Sequence, residues 1–267
     1  MKQIHLLIGG AGFIGSALAK KFKSIVIDKK RNKDIVFNFE KTDNNSIKKL
    51  AQIIGSKIEP NSKIIVHHLA CNLGVENVIN SESYVYNDNL MNLNIQKFIF
   101  ELQKIIVDNG SKIDHFLYYS TSEVYGEQSI MMPNSNYIIP SIIKNTWRRN
   151  RYAVSKINNE FLWKEYCINN NIMYRIIRPF NVTGPYQSKD FVIPKMINSA
   201  IKENRIIIYG KGDQKRTFTD IRDFVEAINY IINYGEKEIY NIANLKNNVS
   251  IKDIIYNILE TEYPERI

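Results

Sequence analysis

An apolar run that leads directly into three regularly spaced glycines constrains this chain more than any other feature. The run Ile4–Ile8 ends at Gly9, and Gly12 and Gly15 follow at three-residue intervals. We interpret Ile14–Phe22, which comes next, as a helix. Glycine suits a strand-to-helix turn of this kind because the backbone bends tightly and a diphosphate must approach it closely. The spacing predicts a βα unit that binds a dinucleotide at the N-terminus of the helix, the alternative being a glycine turn without a ligand.

An acidic residue lies where this motif needs one. Ser24–Ile27 is expected to form the second strand, and Asp28 ends it, 19 residues after Gly9. A carboxylate at that place hydrogen-bonds the ribose hydroxyls and repels a 2′-phosphate. NAD is therefore the expected cofactor rather than NADP, although Lys29 and Lys30 weaken the preference slightly.

Strand and helix patterns alternate along most of the chain. Further expected strands are Ile35–Phe39, Lys63–Leu69, His115–Tyr119 and Met173–Ile177, and expected helices are Leu90–Val107 and Arg151–Asn169. The first of these helices repeats isoleucine and leucine along one face. Alternation of this kind predicts the α/β class, with a doubly wound parallel sheet of the Rossmann type and helices on both faces.

The pattern changes after about Thr183. The expected elements are then a helix, a strand, a helix, a strand and a final helix, at Val192–Glu203, Arg205–Tyr209, Phe224–Asn233, Ile239–Ile242 and after Ser250 as N-cap. We interpret residues 1–182 as an NAD-binding Rossmann domain. Residues 183–267 are expected to form a smaller C-terminal α/β lobe that binds the substrate.

Composition excludes several classes of protein. The formal net charge is +9, but the lysines are scattered and do not alternate with aromatic residues, so no nucleic acid is expected as a partner. No apolar run reaches the length of about 18 residues that spans a membrane. Cys71 and Cys167 lie far apart without metal-ligand spacing, which indicates reduced thiols, no bound metal and a cytoplasmic location.

Two segments carry candidate catalytic groups. Tyr152 and Lys156, four residues apart, share one face of a helix, where an ammonium group and a nicotinamide cation would lower the tyrosine pKa. The expected strand ending at Tyr119 leads into Ser120–Gly126, which places hydroxyls and Glu123 at the carboxyl end of the sheet. The alternatives are an exposed tyrosine–lysine pair and a polar end to the strand.

These motifs occur together in the order of a known family. The chain resembles extended short-chain dehydrogenases/reductases of the NAD-dependent epimerase/dehydratase family. The matching segments are the glycine motif, Val66–Ala70, Asn89, Ser120–Gly126, Tyr152 with Lys156, Arg178–Pro185 and Arg216–Asp223. The resemblance covers nearly the whole chain and implies an enzyme that acts on a nucleotide-sugar.

The resemblance also implies roles for single residues. Thr121, Tyr152 and Lys156 would form the catalytic triad, with Glu123 as a further acid or base, and Ser122, Asn181 and Arg216 would contact the substrate. NAD would contact Gly9, Gly12, Phe13, Ile14, Gly15, Asp28, Leu69, Ala70, Asn89, Tyr152 and Lys156. Asp223 is expected to cap the helix that follows it. Members of this family commonly form homodimers through helices that correspond to Leu90–Val107 and Arg151–Asn169.

The reaction that follows oxidation at C4 of the sugar is open among three choices. Glu123 favours acid–base work beyond hydride transfer, and Ser122 replaces the aspartate usual in dTDP-glucose dehydratases. The segment Gln214–Asp223 resembles a UDP-glucuronate decarboxylase, so decarboxylation of a UDP-hexuronate is preferred to 4,6-dehydration or 4-epimerisation. An NAD-binding sensor of the same fold is the non-enzymatic alternative. The chain ends at Ile267, earlier than in these relatives, so the nucleotide site is expected to be more open or completed by a partner subunit.

Overall fold

The computed structural model describes residues 2–30, 34–72, 75–126, 147–203, 206, 208 and 210–262. Its strands are β1 (Lys2–Ile8), β2 (Ser24–Asp28), β3 (Ile35–Val36), β4 (Ser62–His68), β5 (Lys112–Tyr119), β6 (Met173–Pro179), β7 (Val182–Thr183), β8 (Lys215–Thr217), β9 (Thr219–Asp220), β10 (Ile239–Ile242) and β11 (Asn248–Ser250). Its α-helices are α1 (Phe13–Lys21), α2 (Asn44–Lys57), α3 (Val75–Asn80), α4 (Tyr84–Val107), α5 (Trp147–Asn169), α6 (Val192–Glu203), α7 (Ile221–Tyr234) and α8 (Ile251–Glu262). Short 3₁₀ turns occupy Ser122–Tyr125 and Leu245–Asn247.

A seven-stranded sheet organises the chain. Its strand order is β10-β6-β5-β4-β1-β2-β3, and all neighbouring pairs from β3 to β6 are parallel. The order reverses between β1 and β4, which is the topological switch point where such sheets bind their ligands. The expected α/β fold with a doubly wound Rossmann-type sheet is therefore confirmed.

The central strands are buried on both faces, which is why their sequences are continuous apolar runs. Ile4, Leu6 and Ile8 alternate along β1 and join a core cluster that α2, α4 and α5 cover. His5 and Leu7 point to the opposite face and are also buried. The helices supply large side chains to the same cluster, among them Phe98 and Trp163. This packing gives the carboxyl ends of β1, β4 and β5 a rigid base.

The chain divides into two compact units. Unit 1 contains Met1–Arg178 and Tyr234–Asn241, and unit 2 contains Pro179–Asn233 and Ile242–Ile267. Unit 2 has its own small core, formed by Met196, Phe218, Ile251, Ile254 and Ile255. The boundary that we drew between residues 182 and 183 lies four residues beyond the end of the first segment of unit 1, and the return of residues 234–241 to unit 1 has no counterpart in a linear division.

Several local predictions can be compared with the structure. Strand β3 ends at Val36, so the expected strand Ile35–Phe39 is too long. Helix α2 is an addition to the prediction, and its N-cap is Asp43, which accepts a hydrogen bond from Ser46 N at 2.9 Å. Part of the expected strand Arg205–Tyr209 lies outside the described residues. Among the described residues, no helix is both long and apolar enough to cross a membrane.

The two predicted helix caps have opposite outcomes. Ser250 Oγ accepts a hydrogen bond from Asp253 N at 3.1 Å, so Ser250 is the N-cap of α8 as predicted. The prediction for Asp223 is wrong, because this residue lies within the first turn of α7. Asp220 precedes the helix instead, and its Oδ1 accepts from Arg222 N at 2.7 Å. An N-cap must precede the helix to reach its first free N–H groups, and the helix begins earlier than expected.

Candidate active site

The glycine turn after β1 is packed against the end of β4. Gly9 has a φ of +82°, and a Cβ at this position would lie 2.5 Å from Ala70 N. Leu69 N donates to Ile8 O at 2.8 Å, so the segment after β4 continues alongside the turn. A Cβ on Gly15 would lie 2.5 Å from Gly10 Cα. The first and third glycines of the motif are therefore required by the packing of the protein itself.

The middle glycine is different. A Cβ on Gly12 would have no protein atom nearer than Gly9 O at 3.6 Å, and its φ is −74°. Gly12 is also the N-cap of α1 and provides no side-chain hydrogen bond to the first turn, which contains Phe13, Ile14 and Gly15. Unpaired N–H groups at a helix N-terminus attract an anion. The lack of a side chain at Gly12 thus leaves space at the place where a diphosphate would approach.

Asp28 joins this turn to the end of β2. Its Oδ2 accepts from Ala11 N at 2.8 Å, and its Oδ1 accepts from Lys30 N at 2.9 Å. The carboxylate is buried. The Nζ of Lys29 donates to Glu40 Oε1 at 2.9 Å and to Asn72 Oδ1 at 3.1 Å. The acidic residue of the predicted motif therefore lies beside the glycine turn, with its charge balanced by backbone N–H groups.

Thr121, Tyr152 and Lys156 come together at the carboxyl end of β5. A side-chain hydrogen bond links Tyr152 with Thr121. Lys156 is buried, and its Nζ donates to Tyr119 O at 2.8 Å and lies 6.0 Å from the centre of the Tyr152 ring. Thr121 also accepts from Glu123 N at 3.2 Å, which starts the 3₁₀ turn. A hydroxyl, a phenol and an ammonium group are thereby placed side by side.

The electrostatics of Tyr152 differ from the expectation. Burial raises the pKa of its phenol well above the usual range, the Cys71 thiol and the Glu123 carboxylate raise it further, and the hydrogen bond with Thr121 lowers it. The expected lowering counted the Lys156 ammonium group and the nicotinamide cation together, whereas in the protein alone the pKa is raised. The expectation left out the cost of an ionised phenol away from water.

Two further polar residues adjoin this group. Cys71, half-buried after β4, hydrogen-bonds Lys156; burial raises the pKa of its thiol, and the Lys156 charge offsets part of that rise. Asp88 is buried on α4, where its Oδ2 accepts from Ser155 Oγ and, at 2.7 Å, from Asn159 Nδ2. Sequence reasoning missed both, because neither the thiol nor the carboxylate belongs to a motif with recognisable spacing.

The remaining sequence-predicted residues have other positions. Ser122 is half-buried on the 3₁₀ turn beside Thr121. Asn89, also half-buried, accepts from Asn158 Nδ2 at 3.0 Å, on a different side of α5 from Lys156. Within unit 2, Asn181 Nδ2 donates to Thr217 O at 3.0 Å.

Arg216 is the other substrate residue expected in unit 2. It precedes Thr217 on β8, is exposed, and donates from Nη1 to Lys215 O at 3.0 Å. Strand β8 therefore contains Arg216 and also accepts the hydrogen bond from Asn181.

Comparison with known proteins gives this arrangement its context. Residues 5–243 match the family model described as the NAD dependent epimerase/dehydratase family. The chain belongs to this family. The family is NAD-dependent, which confirms the prediction of NAD as the cofactor. Its members that resemble this chain are enzymes that act on nucleotide-sugars, which confirms the prediction of an enzyme.

Relatives within the family differ in their reactions. The chain is 31% identical to a dTDP-D-glucose 4,6-dehydratase of Dictyostelium discoideum, over 94% of this chain and 60% of that protein. It is 29% identical to a UDP-N-acetyl-alpha-D-glucosaminuronate decarboxylase of Bacillus cytotoxicus, over 97% of this chain and 80% of that protein. The chain therefore spans three fifths of the length of the first of these relatives and four fifths of the second.

Solved structures of family members give the same picture. The UDP-glucuronic acid 4-epimerase from Bacillus cereus, in complex with UDP-glucuronic acid and NAD, aligns with a TM-score of 0.74 at 27% identity. The alignment covers 96% of this chain and 82% of the epimerase. A dehydratase, a decarboxylase and an epimerase thus resemble the chain to similar degrees, and family membership leaves the reaction to be argued from the site.

Proposed function

We propose that this family member oxidises C4 of a UDP-hexuronate with NAD and decarboxylates the resulting 4-keto sugar. The observation that carries this proposal is the hydrogen bond between Thr121 and Tyr152. Lys156 lies beside this pair, and Glu123 lies on the 3₁₀ turn that follows Thr121. Tyr152, with Thr121 and Lys156, would serve the oxidation at C4 that decarboxylation, dehydration and epimerisation share. The Glu123 carboxylate would serve the step that follows this oxidation.

The residues around the glycine turn fit NAD. The space at Gly12 and the first turn of α1 suit a diphosphate, and the Asp28 carboxylate beside this turn is proposed to bind the adenosine ribose. Leu69 and Ala70, which continue beside the turn, and Asn89 complete the set of proposed contacts. When bound, NAD supplies a hydride acceptor and a positive charge on its nicotinamide ring.

Tyr152 is proposed as the base for the first step. Its oxygen takes the proton of the sugar 4-hydroxyl as the C4–H bond gives up its hydride, so the alcohol becomes a ketone. Thr121 holds the phenol in place and lowers its pKa through the hydrogen bond. The buried Lys156 ammonium group favours the ionised phenol, and the Tyr119 carbonyl oxygen keeps that ammonium group oriented.

The second step depends on the ketone at C4. A hexuronate carries its carboxylate on C5, so a C4 ketone makes it a β-keto acid, whose C5–carboxylate bond breaks to release carbon dioxide. The electron pair passes to C5 and the ketone oxygen as an enolate. Glu123 is proposed as the acid that returns a proton to C5, because it is exposed on the turn and its charge acts on Tyr152.

Three polar residues are proposed as substrate contacts. Ser122, on the turn between Thr121 and Glu123, has a hydroxyl that suits a sugar carboxylate or hydroxyl group. Arg216, exposed on β8, suits a diphosphate or carboxylate because its guanidinium can make two parallel hydrogen bonds. The Asn181 amide, attached to the same strand, is proposed to contact the nucleotide-sugar.

Dehydration is the second candidate. The Dictyostelium discoideum relative is a dTDP-D-glucose 4,6-dehydratase, and Glu123 could equally abstract the C5 proton in that reaction. Loss of the 6-hydroxyl, however, calls for an acid next to the glutamate, and Ser122 is a poor acid. This difference favours decarboxylation over dehydration. Simple 4-epimerisation has no task for Glu123.

The experiment is to incubate the protein with NAD and UDP-glucuronate, GDP-mannose, dTDP-glucose or UDP-N-acetylglucosamine and to analyse products by mass spectrometry. Loss of carbon dioxide from UDP-glucuronate is expected. Loss of water from another donor would contradict decarboxylation and assign dehydration, and an isomer of unchanged mass would assign epimerisation. Glu123→Gln should suppress formation of the decarboxylated or dehydrated product without preventing the oxidation at C4.

A homodimer is proposed for the assembly. Tyr86, Leu93, Phe100 and Val107 follow one another at seven-residue intervals on α4 and are 46 to 68% exposed. Phe161 and Ile168, also seven residues apart, are exposed on α5 at 68 and 55%. Apolar heptad repeats on two neighbouring helices are typical of a helix–helix interface. A second copy of the chain would bury both repeats in a four-helix bundle.

A further inference from the structure

A buried arginine near the end of β6 contacts two elements that carry the candidate catalytic groups. Arg178 is 2% exposed. Its Nε and Nη2 donate to the two carboxylate oxygens of Glu160, at 3.0 and 2.6 Å. Its Nη1 donates to the Tyr125 hydroxyl at 2.9 Å, and this hydroxyl donates to Asn241 Oδ1 at 2.7 Å. All four residues belong to unit 1.

Each partner of Arg178 leads to Tyr152. Glu160 lies four residues after Lys156 and eight after Tyr152, so the three share one face of α5. Tyr125 ends the 3₁₀ turn that begins directly after Thr121. Because Thr121 is hydrogen-bonded to Tyr152, the path from Arg178 through Glu160 and α5 to Tyr152 returns through the turn and Tyr125 to Arg178. We call Arg178, Glu160, Tyr152, Thr121 and Tyr125, with the helix and turn that join them, the contact ring.

Stability alone is a poor explanation for these contacts. A buried ion pair gains little free energy over an apolar pair of the same size, because both charges lose their hydration. The bidentate geometry does, however, fix direction as well as distance. The Arg178 guanidinium also lies 5.1 Å from the centre of the Tyr125 ring, which restricts that side chain further. Such an arrangement is suited to orient α5 and the turn with respect to each other.

We infer that Arg178 and Tyr125 are positioning residues, which keep the Thr121 hydroxyl on the Tyr152 phenol by fixing the 3₁₀ turn against α5. Neither needs to touch the substrate or NAD. The inference rests on the proposed function only in taking Tyr152 as the base. A displacement of about 1 Å in such a group can reduce turnover by about 100-fold.

The first test is Tyr125→Phe, which removes the bridging hydroxyl and keeps the ring. Turnover number should fall by about 10-fold or more, while KM for the nucleotide-sugar and Kd for NAD change by less than about 2-fold. Tyr166→Phe is the matched control. It removes from α5 a hydroxyl that donates to Gln96 O and to Gln103 Oε1, each at 3.4 Å, and that lies outside the contact ring. It should therefore change none of these quantities.

A second readout is the NMR signal of Tyr152 labelled at Cζ, recorded at neutral pH and assigned by its loss in Tyr152→Phe. Its chemical shift reports the hydrogen bond that links the phenol with Thr121, so Tyr125→Phe should move this signal and Tyr166→Phe should not. This measurement needs no sugar. An unchanged Tyr152 signal and an unchanged turnover number in Tyr125→Phe would overturn the inference.

A double-mutant cycle separates positioning from general damage. Glu160→Gln keeps the size of the side chain and removes its charge. If both variants act through the contact ring, their effects on turnover number are not additive, whereas independent losses of stability would add. Additive effects would contradict the inference. Should the wild-type protein convert none of the sugars, the proposed function fails, and the Tyr152 Cζ signal still decides whether Tyr125 supports the hydrogen bond between Thr121 and Tyr152.

Discussion

The glycine motif makes different demands at its three positions, and substitution by alanine should separate them. Gly15→Ala places a Cβ 2.5 Å from Gly10 Cα, so the free energy of unfolding should fall by about 1–3 kcal/mol. Gly12→Ala meets no protein atom within 3.6 Å, and the weaker N-cap should cost about 1 kcal/mol or less. Its Kd for NAD, measured by calorimetry, should nevertheless rise by about 10-fold or more. Unchanged NAD binding by a folded Gly12→Ala protein would refute the proposed diphosphate site.

Tyr152 provides the corresponding test of chemistry. Tyr152→Phe removes the base and should reduce turnover by about 100- to 10,000-fold, the usual contribution of general base catalysis. NAD affinity and melting temperature should stay close to wild type, because the phenyl ring remains. Turnover is measured on whichever nucleotide-sugar the wild-type protein converts. If instead the wild-type protein binds NAD, converts no sugar, and behaves like Tyr152→Phe in every assay, the sensor alternative is favoured.

At the scale of elements, the exposed repeat on α4 should control assembly. Phe100→Glu puts a charge in the middle of the repeat, so a dimer should dissociate to the 31.1 kDa monomer in analytical ultracentrifugation. Tyr256→Glu is the control, since this aromatic side chain is 57% exposed on α8 and belongs to neither repeat. It should leave the mass unchanged. A monomeric wild-type protein at micromolar concentration would exclude the proposed dimer.

At the scale of the whole molecule, buried histidines on β1 and β4 make the stability of the fold sensitive to acid. His5 on β1 and His67 on β4 are joined by a 2.8 Å hydrogen bond, and His67 contacts the Tyr119 hydroxyl at 2.8 Å. Burial lowers the pKa of His5 to about 4 and that of His67 well below 6.5. Burial also lowers the pKa of His68 to about 3. All three are neutral in the folded protein at neutral pH.

Stability should therefore fall as the pH falls below about 6.5. The unfolded chain takes up protons on these histidines near pH 6.5, whereas folded His5 resists protonation until about pH 4. Each such histidine lowers the free energy of unfolding by about 1.4 kcal/mol per pH unit across this window. Urea unfolding between pH 7 and pH 5 measures the slope. His5→Gln removes one of the protons that the chain takes up on unfolding, so this slope should become shallower. An unchanged slope would contradict the neutral, buried state of His5.

Local patterns of residues are enough to predict the local chemistry of this chain. Apolar runs of strand length, the glycine spacing and Asp28 predicted the parallel sheet and its cofactor turn, because these depend on neighbours within a few dozen residues. Tyr152 and Lys156 were predicted as a pair because a helix brings residues four apart together. Contacts between distant segments, in contrast, become visible in the folded protein alone. The contact of Arg178 with Glu160 and Tyr125, the place of Asp88 between α4 and α5, and the raised pKa of Tyr152 all depend on burial. Burial results from the packing of many segments at once, and no local pattern records it.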